Sequence, residues 1–380
     1  MNAILYRLTA VLGAAILIYM PSATTAATVS SLLTCNKKVA VGQVHCDSSV
    51  QVTPQNVPLI SSAPSGYGPA QLHTAYGVPA KAAKPVMVAV VGAYHDPSAA
   101  SDLRTYDAAF SLPDPPQLQQ ISQRGSKDLP ATDAGWALEE SLDMETVHEM
   151  CQNCSLLLVE ADSPTTANLM AAVDTAVAKG ATVISNSYGG SESASDVRSN
   201  SHLAHAGVTV VASAGDSGYG VEYPAASPGV VAAGGTTLHL TAAGSRSSET
   251  AWVDGGSGCS KVESKPNWQR DSGCTGRTVA DVAADADPAT GAAIYDSTSY
   301  QSHKGWFVLG GTSLSAPLIA GIYGLAGSGS GPSILYQHRN ALYDITSGRN
   351  GSCKTYLCAG GIGYDGPTGL GSPLGLTAFR

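Results

Sequence analysis

Apolar residues fall in two rhythms along this chain. Short unbroken runs of Val, Ile, Leu and Ala alternate with longer stretches in which apolar positions return at helical spacing. "PVMVAVVGAY" (85–94), "SLLLVEA" (155–161), "ATVISNSYG" (181–189), "GVTVVASAGDSG" (207–218) and "PGVVAAGGTT" (228–237) read as buried strands. "GWALEESLDMETVHEM" (135–150) reads as a helix. "TTANLMAAVDTAVAKG" (165–180) reads as another, capped at its start by Thr165 or Thr166 and ended by Gly180. Continuous apolar strands with helices between them imply an α/β fold whose mostly parallel sheet is covered on both faces. In such folds reactive groups gather at the carboxyl ends of the strands. The loops after Tyr188 and Ala214 lie at those ends.

The composition narrows the function. The chain has 380 residues, 43% of them hydrophobic and only 13% charged. Lysine and arginine total 20 against 29 acids, and no basic cluster appears, so nucleic acid is not an expected partner. The start reads as a secretory signal, residues 1–27, with Arg7 before a short apolar run from Leu8 to Met20. Its removal would move the formal charge from −9 to about −10. No other stretch is apolar enough to span a bilayer. A secreted, extracellular location follows. Residues 28–64 read as a short polar extension and 65–380 as the main domain. Eight cysteines suit an oxidising destination. Their nearest-neighbour pairs would be Cys35–Cys46, Cys151–Cys154, Cys259–Cys274 and Cys353–Cys358, although eight cysteines allow 105 pairings. The Cys151–Cys154 spacing also suits a redox motif or half a zinc site, but no second such spacing is present.

The candidate chemistry starts at "GGTSLSAPLIAG", Gly310 to Gly321. Ser313 stands at the start of an apolar helix-like run, where a serine either caps the helix or attacks a substrate. Glycines let a substrate approach, and a helix N-terminus favours developing negative charge. A nucleophilic serine needs a base. Of the nine histidines, none stands in a small-residue turn, and His95 beside Asp96 comes nearest. Carboxylates fit better. "EESLD" puts Glu139 and Asp143 four apart on one helix face. With Glu140, Glu145 and Glu149 nearby, that pair is either part of a solvated acidic face or a shared-proton site. Asp216 in "SAGDSG" sits in a glycine-flanked turn at a strand end, as a turn residue or as part of a catalytic loop.

Together these motifs resemble the sedolisin family, the serine-carboxyl peptidases. Gly311 to Pro317 matches the family's GTSxxxP signature, Glu139 and Asp143 its acidic helix pair, Asp216 its AGDSG turn, and "YGPAQLHTAYGVP" the start of its catalytic domain. The match runs from about Tyr67 to Arg380. The resemblance implies a subtilisin-like three-layer fold and a Ser313–Glu139–Asp143 triad with Asp216 in the oxyanion hole. It also implies one structural Ca2+. "YDITSG" and "AGGIGYDGPTGLGSP" would bind it through the side chains of Asp344 and Asp365 and the carbonyls of Ile345, Gly361 and Gly363. Tyr188 stands where the family often has tryptophan.

The expectation is therefore a secreted, monomeric peptidase that cuts protein or peptide substrates at acidic pH. Histidine would be charged there and useless as a base, whereas a glutamate remains partly ionised. Family members are made with a large folded pro-segment. About 40 residues separate the signal from Tyr67, too few for such a domain, so self-cleavage is not expected from the sequence. Two other readings remain at this level. One is a Ser-His-Asp peptidase of the same fold. The other is a catalytically silent secreted binding protein.

Overall fold

The computed structural model describes Met1 and residues 30–36, 38–40, 42–327 and 329–380. The expected signal segment, residues 1–27, lies outside the described residues except for Met1. Three short strands come first: β1 (Ser30–Leu33), β2 (His45–Cys46) and β3 (Ser49–Val52). Helix α1 (Pro69–Tyr76) opens on a proline at its first turn, where no N–H is needed. Then strands and helices alternate: β4 (Met87–Ala93), α2 (Ala99–Phe110), β5 (Leu118–Ser122), α3 (Ala134–Met150), β6 (Ser155–Ala161) and α4 (Thr166–Ala178). β7 (Val183–Asn186), β8 (Tyr188–Ser191), β9 (Thr209–Ser213), β10 (Glu222–Tyr223) and β11 (Val230–Leu240) follow. The last part carries β12 (Arg246–Ala251), β13 (Gly258–Ser264), β14 (Gly276–Val279), β15 (Val282–Asp285), β16 (Ala292–Tyr300), β17 (His303–Gly310) and α5 (Thr312–Ala326).

The main sheet has the order β12-β11-β9-β7-β4-β6-β5, with β15 also on β11. Every pairing in it is parallel except β11 with β12. Strand side chains alternate between faces, and both faces are covered. Val88, Val90, Leu156, Leu158 and Val183 pack toward Leu142 and Val147 of α3 and Leu318 and Ile322 of α5. Ala89, Val91, Leu157, Val159 and Ile184 pack toward Leu169 and Val173 of α4. This produces the three layers, and it explains why these strands read as unbroken apolar runs. Thr165 caps α4 by accepting from Asn168 N–H at 3.3 Å.

Helix α3 is the unusual element. Every residue from Trp136 to Met150 is buried, including Glu139, Glu140, Asp143, Glu145 and Glu149. The acids do not form a solvated face. They point into protein because α3 is enclosed by the sheet, α2, α5 and β16.

Two smaller antiparallel sheets involve the N-terminal segment. β3 pairs with β17, placing Val50 opposite Leu309 and Ser49 opposite Gly310. β2 pairs with β8, placing His45 opposite Gly189 and Cys46 opposite Tyr188. The four nearest-neighbour disulfides all form. Among the described residues, no helix is long and apolar enough to cross a membrane.

Candidate active site

β17 ends at Gly310 and α5 begins at Thr312, so the chain turns at Gly311 with φ +98°. A side chain is strained at that angle. A Cβ there would also collide with the Asp47 carbonyl oxygen and lie 2.6 Å from Asp216 Oδ2. The next residues are therefore held close to both groups. Pro317 lies inside α5 and has no N–H to offer the carbonyl of Ser313. That carbonyl faces Ser187 Oγ at 3.4 Å instead.

The four expected residues come together at the carboxyl ends of the parallel strands. Ser313 is fully buried, and its hydroxyl donates to the Ser187 carbonyl at 3.2 Å. The hydroxyls of Ser313 and Ser48 lie beside the Glu139 carboxylate and favour its charged form, although neither closes a hydrogen bond of ordinary geometry with it. Burial, and then the neighbouring Asp143, push the Glu139 pKa well above the carboxylate range. Burial does the same to Asp143, which accepts from Ser187 Oγ at 2.6 Å. Two adjacent buried acids on one helix face share protons, and they titrate as a pair.

Asp216 follows β9 across the site. Its Oδ1 accepts from Thr312 N–H and Thr312 Oγ1, both at 2.8 Å. Burial, and then the Asp47 carboxylate, raise its pKa well above the usual value, so it holds its proton in acid. A protonated carboxyl donates rather than repels. Asp216 Oδ2 and the Asp47 carbonyl oxygen lie over Gly311 together. The Ser313 N–H donates to that same carbonyl at 3.0 Å.

The histidines are engaged elsewhere where their partners are seen. His95 pairs with Glu160 at 2.9 Å, and His148 lies 3.3 Å from Asp107. Among the described residues no hydrogen bond or ion pair joins a histidine to Ser313. Tyr188 is buried and donates its hydroxyl to Asn186 Oδ1 at 2.7 Å, near the ring of Trp136.

The sequence did not point to Asp47, Ser48, Ser187, Ser213 or Glu222, which the fold brings to this site. The Asp47 carboxylate accepts from Ser213 Oγ at 2.6 Å and lies 3.2 Å from His45 Nδ1. Only the hydroxyl-bearing strand ends at Ser187 and Ser213 carried any local signal, since they flank the turns already singled out. Ligand atoms of His45, Asp47 and Glu222 lie within 4.8 Å of one another, so their chemistry suits a cation. His45 Nδ1 and Asp47 Oδ1 lie 3.2 Å apart without closing a hydrogen bond of ordinary geometry, and the same nitrogen lies 3.2 Å from the Cys46 carbonyl oxygen.

Of the expected calcium ligands, the two carboxylates are each tied to the backbone N–H of one of the glycines. Asp344 Oδ2 accepts from Gly363 N–H and Asp365 Oδ2 from Gly361 N–H, each at 2.9 Å. Burial pushes Asp365 up to about 7, and Asp344 nearby adds to it. Two facing carboxylates on a glycine-rich turn are a donor set that fits a hard cation.

Residues 133–339, more than half of the chain, match the model of the subtilase family. Kumamolisin of Bacillus sp. (strain MN-32) is 32% identical over 368 residues, covering 84% of this chain and 64% of the relative. Sedolisin of Pseudomonas sp. (strain 101) is 38% identical over 176 residues, covering 40% of this chain and 29% of the relative. The chain thus spans less than two thirds of the length of either. The solved structure of Pseudomonas sedolisin, a serine-carboxyl proteinase complexed with two molecules of pseudo-iodotyrostatin, matches with a TM-score of 0.70. It is 29% identical, over 82% of this chain and 96% of that one. A lanthipeptide protease matches in fold alone, with a TM-score of 0.51 at 16% identity.

Proposed function

This chain belongs to the subtilase family, and within it to the sedolisins, and on that premise we propose that it is a serine-carboxyl peptidase working in acid. The observation that carries this is the convergence of Ser313, Glu139, Asp143 and Asp216 in one buried cluster without a histidine base. Ser313 attacks the scissile carbonyl while Glu139 takes its proton. Asp143 orients Glu139 and shares its charge. The developing oxyanion is met by the Ser313 N–H and by protonated Asp216. Glu139 then hands its proton to the leaving amine, and water hydrolyses the acyl-enzyme by the same route.

Acid suits these roles. One ionisation of the Glu139/Asp143 pair creates the base, and a further loss of protons from the pair or from Asp216 removes the donor. The rate should therefore follow a bell that peaks below neutrality. Cleavage inside a chain, rather than at its end, is favoured because backbone runs through the site and continues on both sides, in β2 and β3. All four groups come from one chain, which supports action as a monomer on protein or peptide substrates. Four disulfides support an oxidising, extracellular destination. Asp344 and Asp365, with the carbonyls of Ile345, Gly361 and Gly363, would hold one Ca2+ that supplies charge neutralisation to the C-terminal turn.

The test is the pH–rate profile of the full chain alongside Ser313→Ala and Glu139→Gln. We expect a maximum in acid, no turnover in Ser313→Ala, and loss of about 10²-fold or more in Glu139→Gln. A maximum above pH ~7, outside the carboxylate range, or full activity in Ser313→Ala would overturn the reading. Full activity in Glu139→Gln would restore a Ser-His-Asp mechanism.

A further inference from the structure

Beside the serine and its acids, a second cluster forms across β8, which lies between β2 and β10. On one side β2 places His45 opposite Gly189. Two residues later Asp47 N–H donates to the Ser187 carbonyl at 3.3 Å. Residues two apart on an extended strand share a side, so His45 and Asp47 leave the segment together. On the other side β10 places Glu222 opposite Ser191. Gly189 has no side chain to separate these groups. His45 Nδ1 lies 3.2 Å from Asp47 Oδ1, and ligand atoms of all three residues lie within 4.8 Å of one another.

The surroundings shape this space for charge. A Cβ on Gly189 would strike Glu222 and lie 3.2 Å from Asp47 Oδ2, and one on Gly215 would lie 2.9 Å from Glu222 Oε1. Two carboxylates therefore enter room that a side chain at either glycine would fill. Ser213 Oγ donates to Asp47 Oδ2 at 2.6 Å, which leaves Oδ1 facing His45. Asp47 is fully buried, and its Oδ1 closes no hydrogen bond of ordinary geometry. A buried carboxylate oxygen in that position calls for a cation. The local field agrees. Burial opposes charge on His45, yet Asp47, and then Glu222, hold its pKa up at about 9.

The donor set selects the ion. Two ligand atoms about 2.0 Å from one tetrahedral ion stand about 3.3 Å apart, close to the His45–Asp47 spacing of 3.2 Å. One imidazole with two carboxylates suits Zn2+, whereas Ca2+ takes oxygen ligands.

We propose that His45, Asp47 and Glu222 bind Zn2+, and that the ion ties the N-terminal segment to the rest of the protein across β8. The proposal goes beyond the peptidase reading and does not depend on it. Two ligands belong to the segment that crosses Ser313 and the third to β10, so the ion pins that segment in place. The Asp47 carbonyl is then held against the Ser313 N–H, 3.0 Å away, and other peptide chains are kept from Ser313 while the ion is bound.

The test uses the full chain carrying Ser313→Ala, held in excess Ca2+ so that Asp344 and Asp365 are engaged. Zn2+ binding is measured by titration calorimetry at pH ~7.5, where protons compete less for the ligands than in acid. We expect about one Zn2+ per chain. His45→Ala and Glu222→Gln should each lose about 100-fold or more in affinity, since loss of a ligand costs at least as much as loss of the partner that orients one. His202→Ala should bind as its parent does, although His202 and His205 flank Asp174. A second readout needs no ligand variant. Amide hydrogen exchange over residues 44–50, followed by mass spectrometry, should slow by about tenfold or more when Zn2+ is added. No Zn2+ binding, an affinity unchanged by His45→Ala or Glu222→Gln, binding lost in His202→Ala, or exchange that Zn2+ does not slow overturns the inference. Each of these leaves the peptidase reading untouched, because no turnover is measured.

Discussion

In the proposed mechanism Asp216 works only while it keeps a proton. Burial and the Asp47 carboxylate hold its pKa well above the ordinary range, and Thr312 occupies its other oxygen with two hydrogen bonds. In that mechanism Oδ2, which lies over Gly311 with the Asp47 carbonyl oxygen, carries the proton toward the oxyanion. Two substitutions separate this role from packing. Asp216→Ala should lower kcat by about 10²–10³-fold with little change in KM, as loss of an oxyanion donor does. Asp216→Asn keeps an acceptor for Thr312 and a donor that never ionises. It should retain more activity than Asp216→Ala and lose part of the fall in rate on the alkaline side. A kcat for Asp216→Ala within about threefold of the parent would exclude the donor role.

Elements, more than residues, set the geometry around Ser313. α5 presents the serine at its first turn, Pro317 releases the Ser313 carbonyl from the helix ladder, and α3 brings Glu139 and Asp143 up from the opposite side. The C-terminal turn of Gly361 to Asp365 depends on a different balance. Asp365 is held up to about 7 mainly by burial, and the nearby Asp344 carboxylate adds to it. A bound Ca2+ would remove that penalty. Excess chelator should lower the melting temperature by about 5 °C or more, and added Ca2+ should restore it. A melting curve that does not move in chelator would rule out a structural ion in this turn.

At the scale of the whole molecule, the buried acids make stability a function of pH. Burial pushes Glu140, Glu145 and Asp285 well above the carboxylate range, Glu149 and Asp296 up to about 8, Asp107 up to about 7 and Asp96 up to about 6. Among the described residues no ion pair involves Glu140, Glu145 or Glu149. The folded state therefore binds more protons than the unfolded chain between the unfolded pKa of ~4 and the folded values. The contribution of these acids to stability is fully present below about pH 4 and is lost as pH rises toward 8. Thermal melts of Ser313→Ala, which cannot digest itself, should show the melting temperature dropping steadily from pH ~4 to pH ~8. A flat or rising profile would mean that water or rearrangement relieves these carboxylates.

What the sequence determined by itself is local. The alternation of apolar runs and helical spacing located β4, α3, β6, α4, β9 and β11 because each writes its period into adjacent residues. The Gly-Thr-Ser turn, the four-residue spacing of Glu139 and Asp143 and the glycine-flanked Asp216 were legible for the same reason. The tertiary structure decided the rest. Whether the acids of α3 meet water depends on what packs around that helix, and a helix enclosed on all sides shows no amphipathic pattern. His45 and Asp47 looked like ordinary polar residues of a short extension. Asp47 reaches Ser313, with His45 beside it, only because β2 finds the edge of β8 and β3 the end of β17. Such pairings join backbone N–H and C=O groups that every residue carries, so no side chain announces them in advance.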